Sequence, residues 1–356
     1  MSVEGRGRRS AEEIRRGFRE PPSLDTFHDH RKRKQRTHKW GAVLLAACVS
    51  IAAVVLVQRA FGRASSSAPA RPAPVGGRIL YGEWHPKDQH ASWFTANPDG
   101  SGIQDLHLTT TCANWFPDGS RILITDDPAY GPGQPLRPAV VEPDGTGLHP
   151  LDATKDPTLN LGCGAVSPDG STLALEGFNE NARRLNGIYL VRASDGGGLT
   201  RLTRNPYGMG DEYPRFSPDG AQIAFMRERP GVSPQGAGAL FVVGSEGTGL
   251  RRITPWGFTF LEQNWSPDGR WIAFQRPYGQ LYLVHPDGTG LHRIPITLPA
   301  GSGAENPAWS PDGSWIVFSL AQGEEANIYR VRPDGTGLTQ VTNASGVRLQ
   351  SPDWGP

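Results

Sequence analysis

A four-residue phrase, Ser-Pro-Asp-Gly or a near copy, occurs five times in this chain, with its aspartates at Asp118, Asp169, Asp219, Asp268 and Asp312. The steps between them are 51, 50, 49 and 44 residues. A second phrase, Asp-Gly-x-Gly-Leu or a near copy, alternates with it, its acidic residues at Asp99, Asp144, Asp195, Glu246, Asp287 and Asp334. A period of about 40 to 50 residues with two turn signals per unit marks a β-propeller, each unit being one four-stranded blade.

Each phrase has a local reason. In Trp265-Ser266-Pro267-Asp268-Gly269 the proline presets φ for a type I turn, and the glycine takes the left-handed position that closes the hairpin. Strands flank it: Trp265 before, Trp271-Ile272-Ala273-Phe274 after. The same run returns as Gln222–Phe225, Trp315–Phe318 and Arg121–Ile124. The second phrase follows apolar runs such as Leu281–Val284 and Ile328–Val331. An aspartate in such a turn caps its own backbone, so these repeated carboxylates are read as fold-building, not as metal ligands or catalysts.

The first unit opens differently, since Arg78-Ile79-Leu80-Tyr81 matches a second strand with no first strand before it. The missing strand stands at the other end, where Pro352-Asp353-Trp354-Gly355-Pro356 copies Pro307-Ala308-Trp309-Ser310-Pro311. The expectation is an all-β fold of six four-stranded blades over residues 78–356, roughly 78–112, 113–163, 164–213, 214–263, 264–306 and 307–350. Strand 351–356 closes the ring, which removes exposed sheet edges.

The runs Asn264-Trp-Ser-Pro-Asp-Gly-Arg-Trp-Ile-Ala-Phe274 and Pro307-Ala-Trp-Ser-Pro-Asp-Gly-Ser-Trp-Ile-Val-Phe318, each followed by Tyr-x-Val-x-Pro-Asp-Gly-Thr-Gly-Leu or a close variant, resemble the repeats of the TolB-type propeller family. The resemblance covers residues 78–356 and lacks the Gly-His and Trp-Asp pairs of ordinary WD repeats. It implies an extracytoplasmic propeller that serves mainly as a protein-binding platform in envelope complexes. The small α/β domain that precedes the TolB propeller has no counterpart here, and an apolar segment stands in its place, so the resemblance implies the fold and leaves a Tol-system role open.

That segment sets the expected topology. Residues 1–39 hold 12 Lys or Arg against 6 Asp or Glu, ending in the run Arg31–Lys39. Trp40 to Val57 then gives 18 uncharged residues, close to the roughly 20 that span a bilayer as a helix. A single N-terminal transmembrane helix at 40–58 is expected, with the basic tail cytoplasmic and the propeller outside. Residues 59–77, rich in Pro, Ser, Ala and Gly, read as a solvated linker. Leu45-Ala46-Ala47-Cys48 also fits a lipoprotein cleavage site, with Cys48 as the lipidated residue, although the apolar run continues beyond it. A cleavage after Ala68-Pro69-Ala70 is the third route. All three place the propeller outside the cytoplasm.

The propeller carries 21 Lys or Arg against 29 Asp or Glu, an acidic balance unsuited to nucleic acid. The basic tail is explained by its place before the apolar segment, as a topology signal and a contact for anionic lipid. No Gly-x-Ser-x-Gly elbow, His-Glu-x-x-His, phosphate loop or dinucleotide fingerprint is present, and no catalytic residue is assigned. The nine histidines are scattered, without ligand spacing.

Position supplies the candidate site. Asp211-Glu212-Tyr213, Glu262-Gln263-Asn264 and Glu305-Asn306 each precede an inner strand, and ring geometry gathers such positions round one channel mouth. Glu212, Tyr213, Glu262, Glu305 and Asn306 are the candidate binding residues. The carboxylates of Glu212, Glu262 and Glu305 form either a calcium site or a solvated rim. Trp115, Trp265, Trp309 and Trp354 share one blade position and are assigned to inter-blade packing. Cys112 and Cys163, at matched positions in neighbouring blades, are either a disulfide or two buried thiols. The leading expectation is a non-enzymatic protein-binding module whose partner is an envelope protein. A carbohydrate or cell-wall sensor, and a lyase or glycan hydrolase using the channel carboxylates, are the alternatives.

Overall fold

The computed structural model describes residues 76–85, 90–125, 135–179, 181–229, 238–258, 262–276 and 279–356. They lie in one compact unit, Pro72–Pro356. The segment 40–58 lies outside them, as do the basic tail, Cys48 and most of the linker. No helix among the described residues is long and apolar enough to cross a membrane.

Six four-stranded antiparallel sheets follow one another. The first blade joins Ile79–His85, His90–Ala96 and Gln104–Thr110 to the late strand Leu349–Trp354. The second is Cys112–Trp115, Ile122–Thr125, Pro138–Val141 and His149–Pro150. The third is Asn160–Val166, Thr172–Phe178, Gly187–Arg192 and Thr200–Arg201. The fourth is Asp211–Phe216, Gln222–Arg227, Ala239–Gly244 and Arg251–Arg252. The fifth is Gln263–Trp265, Ile272–Arg276, Gln280–Val284 and His292–Arg293. The sixth is Ser302–Trp309, Ile316–Gln322, Glu325–Val331 and Thr339–Gln340.

Ring closure comes from the last strand, which pairs Ile79 with Trp354 and Glu83 with Leu349. It spans Leu349–Trp354, two residues earlier at both ends than the expected 351–356. Most inner strands likewise begin before the expected blade boundaries. Their leading residues pair across a bulge that turn spacing alone does not reveal, between Glu212 and Arg215 and between Glu305 and Ala308.

The second strands are buried on both faces because blades stack against each other. Ala273 of the fifth blade packs with Ile316 and Phe318 of the sixth, and Val317 of the sixth packs with Ile79 and Trp354 of the first. Five of the six outer strands are only two residues long, which leaves little free edge for another chain to pair with.

The repeated turns are self-contained. In the third, fourth, fifth and sixth blades the turn serine donates to the aspartate at 2.6 Å. The same aspartates accept the backbone N–H two residues on at 3.0 Å. These bonds hold the carboxyls low, Asp169 at about 2 through its Ser167 and Ser171 contacts.

Antiparallel order gives the propeller two unlike faces. The hairpins joining first to second and third to fourth strands share one face and carry the repeated phrases. The connections between second and third strands, and between successive blades, lie on the other and do not repeat. Inner strands begin at this loop face, so Glu212, Glu262 and Glu305 stand at its end of the channel.

Candidate functional site

Counting back from the turn serine resolves the channel into layers. Four residues before it stand Cys112, Cys163, Tyr213, Glu262 and Asn306, with Ser351 equivalent in the closing strand. One step further back stand Glu212 and Glu305. The three glutamates are therefore not equivalent: Glu262 shares the layer of Tyr213 and Asn306.

The first layer is where the inner strands bulge. Tyr213, Asn306 and Ser351 adopt φ of 53°, 51° and 48°, a region costly for residues with a side chain. A bulge frees a backbone N–H from the ladder, and the preceding blade receives it. The Asn306 N–H donates to Gln275 Oε1 at 2.5 Å, and the Tyr213 N–H to Glu176 Oε2 at 3.4 Å. Gln275 and Glu176 occupy the same second-strand position in blades five and three. Glu176 reaches the channel because Gly162 has no side chain; a Cβ there would stand 2.7 Å from Glu176 Oε1.

Cys112 and Cys163 form a disulfide between adjacent inner strands, with Cα atoms 5.7 Å apart. Trp265 and Trp354 pack between blades, each donating its indole N–H to a carbonyl, Arg215 and Gly76, at 3.1 Å.

One guanidinium stands among the carboxylates. Arg215 Nη2 lies 3.7 Å from Glu262 Oε2, the two side chains 13% and 16% exposed. Arg215 Nη1 also donates to the carbonyls of Gly164 and Pro214, both at 3.3 Å. Asp353 accepts the Trp115 N–H at 2.7 Å. Glu305 is ion-paired with Arg348. Glu212 has no ion pair among the described residues.

Enclosure raises these acids. Burial, reinforced by the Glu262 charge, pushes Glu176 to about 7 against the N–H bonds it accepts from Tyr213 and Cys163. Burial, then the charges of Glu176, Glu228 and Asp211, pushes Glu212 to about 8. Burial also raises Glu262 and Asp353 against the pull of Arg215, and raises the Tyr213 hydroxyl well above its usual value. These side chains keep some contact with water yet are walled in by protein, so they are not a solvated rim. Among the described residues no three His, Cys, Asp or Glu side chains are placed to hold a metal, and cations already sit beside Glu262 and Glu305. What the arrangement offers is proton exchange near neutral pH and a seat for a positively charged group.

The pH dependence has a definite sign. Glu176 and Glu212 hold their protons to about 7 and about 8 in the fold, against a usual value of 4.5. The folded state thus binds more protons through that window, and stability falls as pH rises across it. Glu176→Gln keeps an acceptor for Tyr213, as Gln275 does for Asn306. It should flatten the fall in melting temperature between about pH 5 and about pH 9. A variant melting curve as steep in pH as the parent's contradicts this assignment.

Sequence reasoning named Glu212, Tyr213, Glu262, Glu305 and Asn306 as candidates and did not name Glu176, Arg215 and Asp353, which the fold brings beside them. The signal available for Glu176 was its correspondence with Gln275, together with a glycine, Gly162, where blades four and six have glutamate.

Comparison with known proteins places this geometry. TolB from Acinetobacter baumannii superposes with a TM-score of 0.63 at 20% identity, over 80% of this chain and 68% of that one. A TolB-like structure from Agrobacterium tumefaciens gives 0.57 at 18% identity, over 79% of this chain and 99% of that one. An uncharacterized peptidase of Bacillus subtilis, YuxL, is 28% identical over 120 residues, 32% of this chain. The present chain covers only 17% of that relative's length. Residues 156–356, more than half of the chain, match the TolB β-propeller domain PD40, and the protein belongs to that family.

Proposed function

We propose that this protein is a membrane-anchored, extracytoplasmic propeller that acts without catalysis as a protein-binding module of the cell envelope. The observation that carries this reading is the difference between its two faces. The hairpin face is built from near-identical turns whose polar groups are spent on their own backbones. The loop face is irregular, surrounds the acidic channel mouth, and is where a fold places recognition. The Cys112–Cys163 disulfide suits an oxidising compartment, and the basic tail before the uncharged segment 40–57 suits an anchor with its N-terminus in the cytoplasm. A partner presenting a lysine or arginine to the channel would relieve the repulsion among Glu176, Glu212 and Glu262.

The test uses the full-length protein in its native envelope with a photo-crosslinking residue at one position at a time. Ser345 and Glu325 lie exposed on the loop face, Ile103 and Leu148 exposed on the hairpin face. The expected result is an adduct of one discrete mass from the loop-face positions alone. The same adducts from both faces, or none from the loop face, would overturn the proposal.

A further inference from the structure

The loop face of blades three and four reverses the acidic character of the propeller. Arg183, Arg184 and Arg204 are exposed there, and Arg229 and Arg252 converge on Trp256. None of the five is ion-paired with a carboxylate among the described residues. Three acidic residues of these loops are occupied elsewhere. Asp211 is buried and held by Arg227 through two contacts of 2.7 Å, and Glu228 accepts the Gly210 N–H and adds its charge to the channel side at Glu212. Asp156, in the preceding loop, is bound by Thr158.

Aromatic rings accompany the cations. Tyr207, 46% exposed, stands edge-on to Trp256 with ring centroids 5.9 Å apart. The guanidinium carbons of Arg229 and Arg252 lie 4.5 and 5.6 Å from the Trp256 ring centroid. Stacking of this kind occupies the flat face of a guanidinium and leaves its N–H edges for an anion. The Nε of Arg229 is buried without a hydrogen-bond partner.

Directly after Tyr207 in the chain, the segment Gly208–Gly210 lines a cavity of about 410 Å³ together with Phe178, Asn179, Arg183 and Asn186. That volume lies in the range of roughly 300–1,000 Å³ typical of small-ligand sites. Its wall is built rather than loose. Asn205 is buried and donates to the carbonyls of Gly210 and Glu228 at 2.9 and 3.0 Å, while its Oδ1 accepts the Tyr207 N–H at 2.9 Å. Thr203, Asp211 and Arg227 lock the base of the same loop.

A concave pocket next to an exposed ring, with guanidinium groups around it that make no ion pair among the described residues, has a specific chemistry. Sugar rings stack on aromatics, and planar carboxylates match guanidinium forks. We infer that this face of blades three and four binds an acidic saccharide, its ring against Tyr207 and Trp256 and its carboxylate on Arg229 and Arg252. A lipid surface would call for a convex or flat patch, and a nucleic acid for a longer basic track. The inference does not rest on the protein-partner reading, which the crosslinks at Ser345 and Glu325 test separately.

Titration calorimetry of the full-length protein with a hyaluronan hexasaccharide, which carries one carboxylate per disaccharide, tests it. Binding should weaken as salt rises, and a neutral chitin hexasaccharide should bind far more weakly. Arg229→Gln with Arg252→Gln should weaken hyaluronan binding by about tenfold or more, the scale of lost charge-assisted bonds. The exposed Tyr207→Ala should weaken it by about fivefold through lost stacking. Arg270→Gln, an exposed arginine on the hairpin face, should change nothing. No heat of binding at millimolar hexasaccharide overturns the inference. So does affinity unchanged in the arginine double variant, or binding to phosphatidylglycerol vesicles without binding to hyaluronan.

Discussion

A chain lacking Leu349–Pro356 should lose about 3–5 kcal/mol of unfolding free energy or more, the usual cost of removing a large buried aromatic from a core. Leu349 and Trp354 are both buried, and Trp354 packs with Ile79, Tyr81 and Val317 across the seam between blades six and one. The same strand carries Asp353, the acceptor for the Trp115 N–H of the second blade. Gly355 lies so close to the Trp115 ring that a Cβ would stand 2.6 Å from it. Removal also leaves Ile79–His85 as an unpaired edge, an invitation to association. Urea unfolding of full-length and shortened chains, followed by tryptophan fluorescence, measures the difference. Coincident midpoints would show that the ring does not depend on this closure.

The disulfide is the second large term. Cys112 and Cys163 are 51 residues apart in sequence, and a cross-link closing a loop of that size removes about 4 kcal/mol of unfolded-chain entropy in the simple chain model. Cys163→Ala, or reduction of the parent, should therefore shift the urea midpoint clearly downward while the double variant Cys112→Ala/Cys163→Ala becomes insensitive to reductant. Mass mapping without reductant should recover a peptide linking the two cysteines. Free thiols at both positions, or a midpoint indifferent to reductant, would contradict the cross-link.

The fold was largely legible because turn chemistry is local. Pro-Asp-Gly needs only its own neighbours to form, so the positions of Asp118 to Asp312 revealed blade number, strand order and the misplaced first strand at the far end. The bulges were not legible. Tyr213 and Asn306 enter a left-handed backbone where a side chain of another strand receives the freed N–H, and that partner stands 31 residues away for Asn306 and 37 for Tyr213. The offset of Glu262 is different in kind, since it stands four residues before its turn serine where Glu212 and Glu305 stand five, a spacing present in the sequence itself. The channel's charge state was hidden for the same reason as the bulges. Arg215 and Asp353 read as ordinary strand residues until the ring brings three carboxylates, Glu176, Glu262 and Asp353, round one guanidinium.

The closing strand has a consequence in time. The first blade is assembled from residues 79–110 and residues 349–354, and the indole N–H of Trp354 is bonded 278 positions away, at Gly76. Ribosomes and export channels deliver a chain from its N-terminus onward. Three strands of the first blade therefore emerge long before the fourth, and must wait while five further blades are made. Contacts this distant in sequence slow the final step of folding. The waiting edge is the molecule's most vulnerable moment, when a chaperone, a protease or a second nascent copy competes with the strand that has yet to arrive.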